Sequence, residues 1–204
     1  MQHWPVRELT VGDRPALERH LLALDTDDRR LRFGIAPSDA AISAYVAGID
    51  FDRDMLFGIF DEKLELLGAA HVARAPGHAE LGVSVLAEHR NRGVGEALLA
   101  RAVLHARNWR LHALFMHCLR ENAAMMHLAR KKGMAIATEA GEADAWLELP
   151  RPDAGTFFGE AFEQRVGLFD FALKAHLVHA RRLLDALISG NGEIEQAVAP
   201  PARH

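Results

Sequence analysis

Leu17, Leu21 and Leu24 fall on one face of a helix that begins at Asp13, a capping residue, with Pro15 in its first turn. Residues 6–9 before it predict a short strand. Asp25-Thr26-Asp27-Asp28 breaks that helix, and residues 29–33 read as a short basic turn or helix. Ser38 or Asp39 opens another helix, through Ala47, that ends at Gly48. Met55–Phe60 and residues 64–72 predict a β-hairpin across Asp61-Glu62-Lys63, and Gly77-His78 turns into a further strand over 79–86. Val94, Leu98, Ala102 and Ala106 then mark a long helix, with Leu99 and Val103 on an adjoining face. Residues 114–118 form a buried-type strand. Asn122 caps a helix that runs to Arg130-Lys131-Lys132 and stops at Gly133. Residues 146–149 are the last strand, closed by Pro150 and Pro152. The predicted order is β-α-α-β-β-β-α-β-α-β.

Beyond Pro152 the pattern changes. Phe162, Val166, Phe169, Leu173, Leu177, Ala180, Leu184 and Leu187 recur at spacings of three and four, giving one long helix with an apolar face. That face must be covered, either by the chain's own domain or by a second subunit, and the near-heptad repeat favours pairing into a homodimer. Gly167 weakens this helix locally, and Asn191 to His204, with Pro200-Pro201, reads as a loose tail. The expected division is a domain over 1–150 and a helical extension with its tail over 151–204.

Composition narrows the function classes. A net charge of −4 argues against a general nucleic-acid binder, which needs a concentrated basic face. No run approaches the ~20 apolar residues that span a bilayer, and Met1 to Pro5 lacks the basic start and apolar block of a signal peptide. The single Cys118 excludes an intramolecular disulfide framework and reads as core. Twelve histidines are dispersed, and His176 and His179 lack further ligands at suitable spacing, so no metal is expected. A cytoplasmic, reduced setting follows.

The chemistry concentrates in Arg90-Asn91-Arg92-Gly93-Val94-Gly95, between a strand and the long helix. A loop there aims backbone N–H groups at a helix N-terminus, a site that prefers a diphosphate-like anion. Gly93 and Gly95 let a ligand approach the main chain, while Arg90 and Arg92 add positive charge and forked donors. Leu98 stands where the dinucleotide fingerprint needs a third glycine, and the Gly-Lys-Ser/Thr of a Walker loop is absent. In the strand that precedes the loop, period-two alternation puts Glu80 and Ser84 on one face and Leu81, Val83 and Val85 on the other. A glutamate in a largely apolar strand is either an edge charge facing solvent or a partly buried general base.

Arg90-x-x-Gly93-x-Gly95 after a strand resembles the acetyl-CoA pyrophosphate loop of the GNAT superfamily of N-acetyltransferases, over about residues 5–150. The resemblance implies an α/β (α+β) fold with a mixed, twisted sheet and helices on both faces. The C-terminal helical extension is additional to it. It implies acetyl-CoA as co-substrate, held by Val83, Val85, Arg90, Asn91, Arg92, Gly93, Val94, Gly95 and Asn122, and a primary amine as acceptor. It makes Glu80 the base that deprotonates the amine, directly or through a water, and a strand bulge near Val85 the source of a donor for the thioester oxygen. Asn122 either bonds the pantetheine arm or a water, caps its helix, or does both. The tyrosine that many members use to protonate the departing thiolate is replaced by Ala129, so the thiolate leaves unassisted or is served by Ser84 or a water. The only tyrosine, Tyr45, is far away in sequence. Asp28–Phe33 read as a string, then 49–55, Ala79-Glu80 and Glu121-Asn122-x-x-Met125 resemble the acetyltransferase domain of bacterial protein-lysine acetyltransferases. The acceptor is then a protein lysine or a small-molecule amine. Arg29, Arg30 and Arg32 read as a surface cluster, and Asp50 and Asp52 as solvated turn residues or an attractor for a cationic substrate. The reading from another class is a non-catalytic acyl-CoA sensor acting through the C-terminal helix.

Overall fold

The computed structural model describes residues 3–197 and, in the last helix, side chains through Arg182. Seven strands form one mixed sheet in the order β1-β2-β3-β4-β5-β7-β6: β1 Arg7–Glu8, β2 Met55–Phe60, β3 Leu66–Ala75, β4 His78–Val85, β5 Ala113–Leu119, β6 Ala135–Glu139 and β7 Glu142–Glu148. All pairs are antiparallel except β4 with β5. Of the helices, α1 Arg14–Leu22, α2 Thr26–Phe33 and α3 Asp39–Ala47 precede β2. The remaining three are α4 Val94–Asn108, α5 Ala123–Lys131 and α6 Ala154–Ala197.

Alternation along the strands sorts the core into two faces. Phe57, Ala70, Val72, Leu81 and Val83 pack under the apolar stripe of α4, Val94, Leu98, Leu99, Ala102 and Ala106. Leu56, Phe60, Leu66 and Ala69, on the other face, meet Leu17, Leu21, Ile42 and Val46 of α1 and α3. Helices therefore cover both sides of the sheet.

Three expectations change. The acidic run after α1 does more than break it: Asp25 accepts from the Asp28 N–H at 2.8 Å and caps α2, so the helix opens at Thr26. Strand β6 escapes the pattern because Ala-Ile-Ala-Thr-Glu lies almost wholly exposed, with no apolar alternation to mark it. Ala140 and Gly141, both at positive φ, turn it into β7. Finally, α6 continues past Asn191 to Ala197; the rest of the expected tail lies outside the described residues, as do the side chains of Leu184 and Leu187.

Helix α6 packs on β1 and α4. A Cβ on Gly167 would lie 2.4 Å from the Val6 carbonyl oxygen, so the residue read as a weak point is what lets the helix touch β1. Phe171 stacks edge-on to Phe60 at 5.0 Å, and the Arg7 guanidinium lies 3.9 Å from its ring centroid. Gly167→Ala is expected to destabilise the protein by about 1–3 kcal/mol through overpacking, although alanine is the better helix former. A lowered denaturation midpoint at unchanged slope is the expected result, and an unchanged or raised midpoint would remove this contact.

Candidate active site

Strands β4 and β5 pair only over His78–Glu80 against Ala113–Phe115. Beyond Glu80, β4 stays with β3 and β5 stays with β7, so the two parallel neighbours diverge. The Leu86 N–H bonds the Leu67 carbonyl at 3.0 Å, on the β3 side. Alternation then points the N–H groups of Val83 and Val85 toward the open wedge. The free backbone donors expected from a bulge near Val85 thus come from strand divergence instead: β3 and β4 keep an unbroken register through Gly68↔Val85.

The wedge widens into a cleft of about 700 Å³ bounded by Val83, Ser84, Val85, the 90–95 loop and α5. Gly93 is the left-handed N-cap of α4 at φ +85°, and no side chain caps that terminus. The first N–H groups of α4 consequently face the cleft without intrahelical acceptors. Asn91 adopts φ +58°, which asparagine tolerates, and the Trp4 indole pins the loop by donating to the Arg92 carbonyl at 2.7 Å. Trp4 was not singled out from the sequence. Arg90 is placed otherwise than expected: its guanidinium donates to the Val85 carbonyl at 3.1 Å and pairs with Asp28 at 2.5 Å. It braces the loop against α2. A diphosphate fits this cradle, because glycine leaves room at the main chain and the helix N-terminus supplies donors.

Glu80 is exposed at the point of divergence, not partly buried. Among the described residues no hydrogen bond or ion pair engages it. Asn122, buried, caps α5 by accepting from the Met125 N–H at 3.1 Å and donates to the Leu31 carbonyl at 3.2 Å. Its amide joins α5 to α2 across the cleft. Ala129 is fully buried between Met116, Met134 and Ala145, away from the cleft. Cys118 is buried in the core, and burial pushes its thiol above the ordinary value. Asp50 accepts from the N–H groups of Asp52 and Arg53, as a turn residue does. Among the described residues no group of His, Cys, Asp or Glu side chains is arranged to hold a metal.

Behind β4 lie two histidines that sequence reasoning passed over. His20, buried on the apolar face of α1, bonds the Leu66 carbonyl through Nδ1 at 2.8 Å and Ser84 Oγ through Nε2 at 2.8 Å. Since a carbonyl only accepts, Nδ1 donates, and the neutral ring's Nε2 accepts the Ser84 hydroxyl proton. Burial pushes His20 down to about 4, with Arg32 lowering it further against the Leu66 bond. The unfolded chain protonates this residue near 6.5 and the folded one only near 4, so stability falls as pH drops through that window. The expected loss is on the order of 3 kcal/mol, read as a drop in denaturation midpoint from pH 7 to pH 4. His20→Gln should flatten that slope; an equal slope in the variant would contradict the assignment. His71, on β3, is the second, and it anchors Tyr45 from α3 at 2.6 Å. Both histidines carried a legible signal: each interrupts an apolar stripe, as Glu80 does.

The diverging parallel pair thus opens onto a glycine loop and the N-terminus of α4. The model of the acetyltransferase (GNAT) family matches residues 1–134, and the chain belongs to that family. It is an acetyl-CoA-dependent N-acyltransferase. The GNAT domain of the Streptomyces lividans protein PAT superposes with a TM-score of 0.61 at 21% identity, covering 71% of this chain and 89% of that one. A ribosomal-protein-alanine N-acetyltransferase from Brucella melitensis gives 0.56 at 21%, covering 71% and 99%. A putative acetyltransferase from Salmonella typhimurium, solved with acetyl-CoA, gives 0.56 at 17%, covering 75% and 99%. These likenesses establish the fold. No helix among the described residues is long and apolar enough to cross a membrane.

Proposed function

We propose that the protein transfers an acetyl group from acetyl-CoA directly to a primary amine in a ternary complex, with Glu80 as general base. The observation that carries this reading is Glu80 itself, free of protein partners at the mouth of the wedge. A thioester supplies an activated carbonyl. Val83 and the Val85 N–H offer unpaired backbone groups to an amide-bearing arm, much as a neighbouring strand would. The 90–95 loop and the start of α4 hold the diphosphate, and Val83 or Val85 N–H supplies the donor for the carbonyl oxygen. Glu80 accepts the amine proton, since an ammonium with a reference pKa of about 10.4 is no nucleophile. Ser84 lines the same cleft, but its proton is held by His20, so its oxygen is an acceptor toward the cleft and the thiolate leaves without a side-chain acid.

The acceptor class is a protein lysine or a small-molecule amine in a cytoplasmic setting. A thiol-release assay with acetyl-CoA against lysine peptides and small amines tests the reading. Release with at least one acceptor is expected, and acetyl-CoA binding with no release from any of them would contradict it. We also infer assembly of two copies through α6, supported by Phe158, Phe162, Phe169, Leu173 and Leu177, which stand 45–75% exposed along it. Sedimentation of the full chain should give a dimer, and Phe162→Glu a monomer; a monomeric wild type would end that inference.

A further inference from the structure

Three arginines that look alike in the sequence have different fates. Arg29 donates to the Leu22, Leu24 and Pro37 carbonyls and pairs with Asp39 at 2.6 Å, and Arg30 pairs with Glu121. Arg32 has no carboxylate partner among the described residues. It does not belong to a surface cluster: its guanidinium lies against the main chain of β4, where a Cβ on Gly82 would fall 2.1–2.4 Å from its atoms. Gly82 is the residue midway between Glu80 and Ser84 on the same strand face, so this glycine makes the space the guanidinium fills. Arg32 also borders the cofactor cleft, and with Ser84 it forms the wall between that cleft and a small interior cavity of about 10 Å³.

The guanidinium is held from behind by a built chain. Asp54, 3% exposed, receives Nε2 of His71 at 3.1 Å, and Nδ1 of the same ring receives the Tyr45 hydroxyl proton at 2.6 Å. With its own proton committed to His71, the Tyr45 oxygen accepts from Arg32 Nη2 at 3.4 Å. The ring of Phe33 packs 4.8 Å from the guanidinium carbon. Such a group, half-buried, oriented and lacking a counter-ion, is suited to a carboxylate, which its fork bonds through two parallel hydrogen bonds. Beside it on the same face stands Glu80, equally without a partner. The two opposite charges do not meet each other, and His71 feels both.

Resting on the transferase reading above, we propose that Arg32 is a specificity-determining residue that binds a carboxylate carried by the acceptor, so that the acceptor is a zwitterion with its amine at Glu80 and its carboxylate at Arg32. Glu80 and Gly82 are two residues apart, about 7 Å along the strand, which suits a compact amino acid. Tyr45 acts as a positioning residue through Arg32.

The test compares free amino acids with their carboxamides as acceptors, using the full chain and acetyl-CoA. Wild type should prefer the free acid, and Arg32→Met should lower kcat/KM for it by 10–100-fold while changing that for the amide less than threefold, the usual worth of a charge-assisted contact. Arg32→Lys should restore part of the preference. Tyr45→Phe should raise KM for the acid with kcat held. Equal loss on acid and amide, or no preference in wild type, would overturn the proposal. A loss confined to ω-carboxyacyl donors such as succinyl-CoA, with acceptor preference intact, would place the carboxylate on the donor and overturn the acceptor assignment. Calorimetric titration of the CoA-loaded protein with the same amino acids and amides separates the two readings. Acid-selective binding that Arg32→Met abolishes supports the subsite even without thiol release, and equal binding of acid and amide contradicts it even if transfer occurs.

Discussion

Glu80→Gln should leave acetyl-CoA affinity unchanged and lower turnover by on the order of 10²–10⁴-fold, the scale of a lost general base. The substitution is nearly isosteric, and the exposed side chain has no protein partner to lose, so stability should hold. Affinity should hold as well, because the cradle proposed for the cofactor, Val83, Val85 and the 90–95 loop, lines the cleft beyond the divergence and does not include Glu80. The residual rate should climb with pH, as free amine becomes available without the carboxylate's help. A variant that turns over at the wild-type rate with saturating acceptor would remove Glu80 from the role.

The largest effect on stability is expected where α6 meets α4. Glu160 accepts from Arg101 Nη1 at 2.7 Å and from His105 and Asn108, and Arg101 is 3% exposed at its side chain. The Arg101 guanidinium also lies 4.7 Å from the Phe57 ring centroid, inside the main core. Burial would raise the Glu160 carboxyl, but hydrogen bonds from His105, Arg101 and Asn108 outweigh it and hold the group at about 2. The carboxylate thus stabilises the fold above its ordinary value of 4.5 and loses that contribution as pH falls toward 2. Glu160→Ala strands a buried guanidinium whose other nitrogens already lack partners, and should cost about 3–5 kcal/mol, a large share of a typical domain's stability. Replacing both ends, Arg101→Met with Glu160→Leu, removes the stranded charge and should cost much less. Denaturant midpoints of the single and double variants decide this. A single variant within 1 kcal/mol of wild type would show that α6 is not anchored through Glu160.

Much of the fold was legible because its core elements carry strong periodicity. The stripe of α4, the run of β2 and the caps at Ser38 and Asn122 all follow rules that act within a few residues. The loop at 90–95 could be read because its constraint is local too: a positive φ at Gly93 and an approach to the main chain demand glycine. What was not legible depends on distance. Arg32 and Gly82 lie fifty residues apart in sequence, and only the packing of α2 on β4 shows that one occupies the space left by the other. Tyr45 was set aside for its sequence position, yet α3 brings it to His71. The exposure of Glu80 also depends on tertiary structure: alternation assigns its face, but only the folded sheet shows that face uncovered at Glu80, the last residue of β4 to pair with β5.

Calorimetric titration of the wild type beside Gly95→Trp decides whether the wedge and the 90–95 loop hold acetyl-CoA. Gly95 borders the cleft, where a Cβ would already lie 3.3 Å from Leu128 and an indole would fill the space between loop and α5. Saturable one-site binding by the wild type, abolished in a variant that keeps its folded circular dichroism, is the predicted result. Equal binding by both proteins, or none by the wild type, would contradict it.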